Sequence, residues 1–196
     1  MSRKKVGVLI SGRGSNMSAL IEATKSPGYP AEIVGVLSNR AAAPGLLTAQ
    51  ENGIATASLA QSKFLSRDMF EDMMTQIHEG WEVDYVCLAG FMRILGEDFV
   101  LRWQGRMINI HPSLLPLYKG LDTHARVIAD GGTEHGCTVH FVTPGLDEGP
   151  TILQARIPVL PGDTAETLAA RVQVEEHRIY PEALALVARG AATYTG

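Results

Sequence analysis

The 196-residue chain has little cysteine, few aromatic side chains and no excess of positive charge. Its two cysteines, Cys87 and Cys137, form no Cys-x-x-Cys pair, which disfavours both a secreted disulfide framework and a cysteine-rich zinc module. Lys and Arg number 17 against 21 Asp and Glu, and the formal net charge of −4 disfavours a nucleic-acid partner. Aromatic residues are only 6% of the chain, so the core must consist mainly of aliphatic side chains.

Long apolar runs are also missing. The first one, at residues 6–10, stops at Ser11-Gly12, too early for a signal peptide or a membrane span. We therefore expect a cytoplasmic protein with no membrane partner. Hydrophobic residues make up 45% of the chain, and its length suits one globular domain, predicted over residues 1–196.

Short apolar runs alternate with helical patterns along the chain. The predicted strands are residues 6–10, 33–37, 54–57, 84–88, 107–111, 137–142 and 152–159. The predicted helices are residues 15–24, 45–52, 66–80, 123–130 and 163–189, the last with Asp163 and Glu166 in a capping arrangement. This alternation predicts an α/β fold, with a mostly parallel sheet and helices on both faces. Strand signals crowd the last third, which predicts one antiparallel strand at that edge.

A glycine-rich loop, Ser11-Gly-Arg-Gly-Ser-Asn16, lies between the first predicted strand and helix. Glycine allows a sharp turn there, and the start of the helix offers unpaired N–H groups, so Gly14, Ser15 and Asn16 are predicted to bind phosphate. A plain strand–helix turn is the alternative. Met17 replaces the third glycine of a dinucleotide fingerprint, and no P-loop motif is present, so a monophosphate fits best.

Asn109 and His111 are two residues apart on a predicted strand, so their side chains point to the same side. They lie at its carboxyl end, where open α/β sheets bind ligands. An amide donor beside an imidazole can stabilise an oxyanion and move a proton. Asp147, in a glycine-rich turn between two later strands, is a candidate carboxylate partner for His111.

Other residues offer competing chemistry. His124, His135 and His140 are close in sequence, but they match no zinc-binding spacing, so no metal site is predicted. Cys137 is a candidate nucleophile, although its strand position favours a buried core thiol.

Three segments together resemble the formyltransferase family that uses 10-formyltetrahydrofolate. They are the run Asn-Ile-His-Pro-Ser-Leu-Leu-Pro at 109–116, the paired segments 136–142 and 146–150, and the run at 88–95. The resemblance extends from about residue 6 to residue 189. It implies a Rossmann-like, mostly parallel seven-stranded sheet, with 10-formyltetrahydrofolate as co-substrate and no metal.

The resemblance also implies roles for the matched residues. His111 is the catalytic imidazole, Asn109 holds the formyl oxygen, and Asp147 orients or charges His111. Thr138 and His140 support the site. The residues expected to bind the ribonucleotide are Gly14, Ser15, Asn16, Gln173 and Glu176. The residues expected to bind folate are Arg67, Met92, Arg93, Ile94, Leu95 and Asn109. Arg13, Asp122 and Cys137 receive no role.

The implied activity is transfer of a formyl group to the amine of 5-phosphoribosylglycinamide, in de novo purine biosynthesis. The chain is shorter than family members that carry a tRNA-binding or a regulatory domain, which favours small-molecule substrates and a monomer or homodimer. The N-terminal half is expected to bind phosphate, and the C-terminal half to carry catalysis and folate binding. The alternatives are a formyltetrahydrofolate hydrolase and a non-catalytic nucleotide-binding module.

Overall fold

The computed structural model describes residues 2–195, so Met1 and Gly196, the ends of the predicted domain, lie outside the described residues. The strands are β1 Lys4–Ile10, β2 Ala31–Ser38, β3 Ala55–Ser58, β4 Tyr85–Leu88, β5 Met107–His111, β6 Glu134–Phe141 and β7 Thr151–Pro158. The helices are α1 Ser15–Thr24, α2 Pro44–Glu51, α3 Arg67–Gly80, α4 Glu97–Arg102, α5 Thr123–Ala129 and α6 Ala165–Ala188. The sequence predicts all of these except α4.

The strands form one sheet in the order β3-β2-β1-β4-β5-β6-β7. Neighbours from β3 through β5 are parallel, whereas β6 is antiparallel to both β5 and β7. The prediction of a mostly parallel sheet with one reversed strand is therefore confirmed. The reversed strand is next to last rather than at the edge, because β7 turns back and runs parallel to the other strands.

Helices cover both faces of the sheet, and β1 shows why. Val6, Val8 and Ile10 join a core cluster with residues of α1 and α6, whereas Leu9 packs on the other face with residues of α3 and α4. A strand buried on both faces reads as a continuous apolar run, which is why β1 is recognisable from sequence.

The beginning of α6 differs from the sequence prediction. Thr164, not Asp163, is the N-cap, and its side chain forms a capping box with Thr167. Asp163 accepts hydrogen bonds from the Leu160 amide and the Thr167 hydroxyl instead. Although α6 is 24 residues long, none of the helices in residues 2–195 is long and apolar enough to cross a membrane.

Candidate active site

Four polar side chains share one face of β5 and β6. Asn109 pairs with His140 across the two strands, and His111 pairs with Thr138. Residues two apart on a strand face the same way, so this register brings all four together. Asn109 and His111 are two residues apart on β5 and lie on the same face, as the sequence predicts.

His140 holds the amide of Asn109. Its Nδ1 donates to the carbonyl oxygen of Phe141 at 2.9 Å, which leaves Nε2 to accept from Asn109 Nδ2 at 3.2 Å. Burial lowers the pKa of His140, so the neutral form that this arrangement needs is favoured. One amide proton of Asn109 is thus engaged, and the other is left for a ligand.

His111 lies between two acceptors. Its Nε2 donates to the carbonyl oxygen of Tyr118 at 3.0 Å, and its Nδ1 is 3.5 Å from the Asp147 carboxylate. Both side chains are less than one-tenth exposed. The ring of His111 thus has an oxygen acceptor facing each of its nitrogens.

Asp147 occupies a backbone conformation that non-glycine residues rarely adopt, with φ 52°. Its Oδ2 accepts from the Gly120 amide at 2.9 Å, and Oδ1 is 3.9 Å from Nε2 of His140. Gly149, two residues later, is packed so tightly that an added Cβ would lie 1.7 Å from the carbonyl oxygen of Phe141. The turn is therefore held at both ends while its carboxylate faces the two histidines.

Thr138 is buried and contacts the segment after His111 rather than the open site. Its hydroxyl donates to the carbonyl oxygen of Ser113 at 2.7 Å and accepts from the Leu115 amide at 3.1 Å. Gln154 donates to the same hydroxyl at 2.9 Å. Thr138 thus holds the backbone that follows His111.

The glycine loop forms one wall of a cleft of about 280 Å³. Gly14 is the N-cap of α1 with φ 68°, and no side chain caps the helix, so its first N–H groups are free to meet an anion. The residues that line the cleft are Ser11, Gly12, Arg13, Gly14, Ser15, Asn16, Arg40, Ala89, Gly90 and Met92.

Helix α6 contacts the glycine loop of this cleft through two side chains. Gln173 Nε2 donates to the Ser15 hydroxyl at 3.0 Å, and Asn16 Nδ2 donates to Glu176 at 2.9 Å. Glu176 is only 8% exposed, and burial raises its pKa. Asn16 Oδ1 is buried without a partner among the described residues. The structure thus brings together all the residues predicted to bind the ribonucleotide.

The predicted folate residues lie along a neighbouring segment. Glu71 links its two parts: the carboxylate accepts from the Gly96 amide at 2.8 Å and lies 3.9 Å from Arg67 Nε. The Met92 amide donates to the Ser11 hydroxyl at 2.7 Å, which joins this segment to the phosphate cleft. Met92 and Ile94 are more than half exposed, so this segment offers apolar side chains that a ligand could contact.

The competing candidates take no part in this geometry. His124 and His135 form a pair, with His135 Nε2 3.1 Å from His124 Nδ1, and burial lowers both pKa values, that of His135 to about 4. Cys137 is buried, which raises its pKa to about 12 and keeps it a thiol. Within residues 2–195, no cluster of three His, Cys, Asp or Glu can hold a metal ion.

Sequence reasoning missed several contributors. Arg40 and Gly90 line the phosphate cleft, and Tyr118 supplies the carbonyl that accepts from His111. Arg40 and Gly90 follow the ends of β2 and β4, and parallel strands end at one edge, so position alone could have identified both. No sequence signal marks the Tyr118 carbonyl.

Comparison with known proteins gives consistent matches. The family model for formyl transferases matches residues 4–184. Phosphoribosylglycinamide formyltransferase of Escherichia coli (strain K12) is 48% identical over 93% of this chain and 86% of that protein. The structure of phosphoribosylglycinamide formyltransferase from Coxiella burnetii has a TM-score of 0.94 and 48% identity, covering 100% of this chain and 92% of that one. The trifunctional purine biosynthetic protein adenosine-3 of Bos taurus is 50% identical over 96% of this chain, which spans only 19% of its length.

Proposed function

Because this chain belongs to the formyl transferase family, we propose that it transfers the formyl group of 10-formyltetrahydrofolate to the amine of 5-phosphoribosylglycinamide, in purine biosynthesis. The observation that carries the proposal is the grouping of Asn109, His111, His140 and Asp147 beside a cleft suited to a phosphate. The names of the similar proteins from Escherichia coli and Coxiella burnetii support phosphoribosylglycinamide as the formyl acceptor.

The reaction proceeds by direct attack of the amine on the formyl carbon. A carbon–nitrogen bond forms to the amine, and the formyl oxygen becomes an oxyanion held by the free proton of Asn109. His111 adds a second donor when its Nε2 turns from the Tyr118 carbonyl to the oxyanion. The bond to N10 of the folate then breaks, and N10 receives the proton that the amine loses. Asp147 stabilises the charged form of His111 throughout.

The ribonucleotide binds in the cleft beside α1. Gly14, Ser15 and Asn16 offer the N-terminal N–H groups of the helix to the phosphate. Gln173 and Glu176 hold the side chains of this loop, and Glu176 is a buried acceptor for the ribose hydroxyls. The amine then lies toward His111.

The folate binds across the neighbouring segment. Met92, Arg93, Ile94 and Leu95 line the pterin pocket, largely through backbone groups, and Asn109 meets the formyl group. Arg67, which is half exposed beside Glu71, binds a carboxylate of the folate tail. No residue in this scheme requires a metal ion.

We further propose a single domain over residues 1–196, active as a monomer or homodimer without a nucleic-acid partner. One continuous sheet across residues 2–195 supports the single domain. The phosphate loop belongs to the N-terminal half, and β5, β6 and the Asp147 turn belong to the C-terminal half. Arg67 and residues 92–95 also belong to the N-terminal half, so folate binding is not confined to the C-terminal half.

The deciding experiment incubates the protein with 10-formyltetrahydrofolate, with and without 5-phosphoribosylglycinamide, and identifies the product by mass. We expect a formylated ribonucleotide and no consumption of formylfolate when the amine is left out. Equal consumption without the amine would instead indicate a hydrolase. Binding of the ribonucleotide without any turnover would indicate a nucleotide-binding module.

A further inference from the structure

We infer that Tyr180, on α6, is a positioning residue that holds the backbone from which Asn109 projects. Its hydroxyl is shared between the carbonyl oxygens of Leu88 and Ile108, at 2.9 and 3.2 Å. The side chain is fully buried. The inference rests on the proposed formyl transfer, in which Asn109 holds the formyl oxygen.

The two carbonyls lie where β4 and β5 separate. Leu88 and Asn109 are the last residues paired between these strands, after which β5 continues alone on that side to His111. The Ile108 carbonyl belongs to the same planar peptide unit as the Asn109 N–H. A hydrogen bond to that carbonyl therefore restrains the peptide plane that sets the direction of the Asn109 side chain.

Tyr180 also shares a helix face with two residues of the phosphate cleft. Gln173, Glu176 and Tyr180 follow the i, i+3, i+7 spacing of one face of α6. The first two bind the side chains of Ser15 and Asn16. One rigid helix thus holds the phosphate-binding loop and the backbone of Asn109 at a set separation, which is what aligning two substrates requires.

The Tyr180 hydroxyl is a permanent donor. Burial raises its pKa well above the ordinary value, so it stays protonated wherever the protein is folded. Replacement by Phe removes this donor and keeps the ring that packs in the core.

We expect Tyr180→Phe to lower kcat by about five- to tenfold, the effect of one neutral hydrogen bond, while both KM values change by less than about twofold. Tyr29→Phe is the matched control. The Tyr29 hydroxyl also donates to a backbone carbonyl, that of Pro181 on α6, at 2.7 Å, and Tyr29 is not among the residues that line the phosphate cleft. It should leave kcat unchanged, although both variants lose some thermal stability.

A double variant separates positioning from a general structural effect. If Tyr180 acts through Asn109, Tyr180→Phe should lower kcat no further in an Asn109→Ala background. An equal loss in both backgrounds, or a loss equal to that of Tyr29→Phe, would overturn the inference.

The side-chain amide resonance of Asn109 supplies a test without turnover. It is assigned by its disappearance in Asn109→Ala, and it should shift in Tyr180→Phe but not in Tyr29→Phe. If the wild-type protein transferred no formyl group, the proposed function would fail, while this resonance would still decide whether Tyr180 positions Asn109. An unshifted resonance would refute the positioning role whatever the activity.

Discussion

Asn109 serves the site only while His140 stays neutral. His140 Nε2 accepts one amide proton of Asn109, and a protonated ring would have no lone pair there to accept it. Burial lowers the pKa of His140, so the amide orientation is preserved at neutral pH. The neutral ring of His140 therefore sets the orientation of the Asn109 amide.

We predict that His111→Ala and Asn109→Ala each lose about 10²- to 10³-fold in kcat, the usual cost of one oxyanion donor. Both variants should still fold, since each keeps its strand backbone. Steady-state formyl transfer measures the loss, and circular dichroism checks the fold. Asn52→Ala is the control, because Asn52 also donates an amide hydrogen bond, to the Thr48 carbonyl, but on an exposed surface. Near-normal turnover in either site variant would refute its role.

Asp147→Asn tests the charge opposite His111. Asn tolerates the φ of 52° that Asp147 adopts and can still accept from the Gly120 amide, so the turn should persist. Loss of the negative charge should lower kcat on the order of 10²-fold by disfavouring the charged imidazole. Glu148→Gln, at the next position, removes an exposed carboxylate paired with Lys119 and should change kcat little. Equal effects of the two variants would rule out a specific role for Asp147.

The orientation of a single side chain was predictable where it follows from the alternation of side chains along a strand. Asn109 and His111 share a face for that reason alone. The approach of Asp147 to His111 depends on the turn between β6 and β7. The hydrophobic pattern of the sequence does not predict the conformation of such a turn. The Tyr118 carbonyl is a backbone group, which residue type does not reveal.

The connection from β6 to β7 places the Asp147 carboxylate beside His111. A substitution at Gly149 tests whether the conformation of this connection matters. An added Cβ would meet the Phe141 backbone at 1.7 Å, so Gly149→Ala must displace the turn. We expect a loss of about 1–3 kcal/mol in the free energy of unfolding together with a lower kcat. Gly80→Ala is the control, since an added Cβ there meets no described atom within 4 Å. Urea unfolding and turnover are measured for both variants. An equal free energy of unfolding in Gly149→Ala and Gly80→Ala would contradict the steric argument.

Elements were predictable where burial gives a clear pattern. The strands stand out as apolar runs and α3 as a periodic segment capped by Ser66. Helix α4 was not predicted because it has only six residues and its N-cap, Gly96, has no side chain to cap it. At α6, two neighbouring cap-type residues compete, and Thr164 takes the position because Thr167 completes its capping box.

The whole molecule carries a buried histidine that links its stability to pH. His78 is fully buried, and its Nδ1 donates to the Met74 carbonyl at 2.7 Å. Its Nε2 has no partner among the described residues. Burial lowers the pKa of His78 to about 4, so the native state holds it neutral. Between that value and the ordinary pKa near 6.5, the unfolded chain binds more protons, so the free energy of unfolding rises with pH.

We therefore predict that stability falls as pH drops from about 6.5 to about 4, with His78 contributing about 3 kcal/mol of the change. His135, also lowered to about 4, acts in the same direction. Urea unfolding across this range should show a smaller pH dependence in His78→Leu than in the wild type. The same dependence in both would show that His78 does not titrate on unfolding.

The fold class and the family were predictable for the whole chain, and both are confirmed. Alternating elements identify an α/β fold, and the three segments that resemble formyltransferases identify the family. The position of the reversed strand was not predictable, because strand order depends on which edges pair and not on local pattern. The contact of Gln173 and Glu176 with the glycine loop was implied only by the family resemblance.

That contact can form only late in the synthesis of the chain. Asn16 leaves the ribosome well before its partner Glu176, which lies 160 residues later. Until α6 has emerged and docked, the side chains of Ser15 and Asn16 lack their hydrogen-bond partners Gln173 and Glu176. The glycine loop therefore reaches its final side-chain arrangement only after α6 has docked on the sheet.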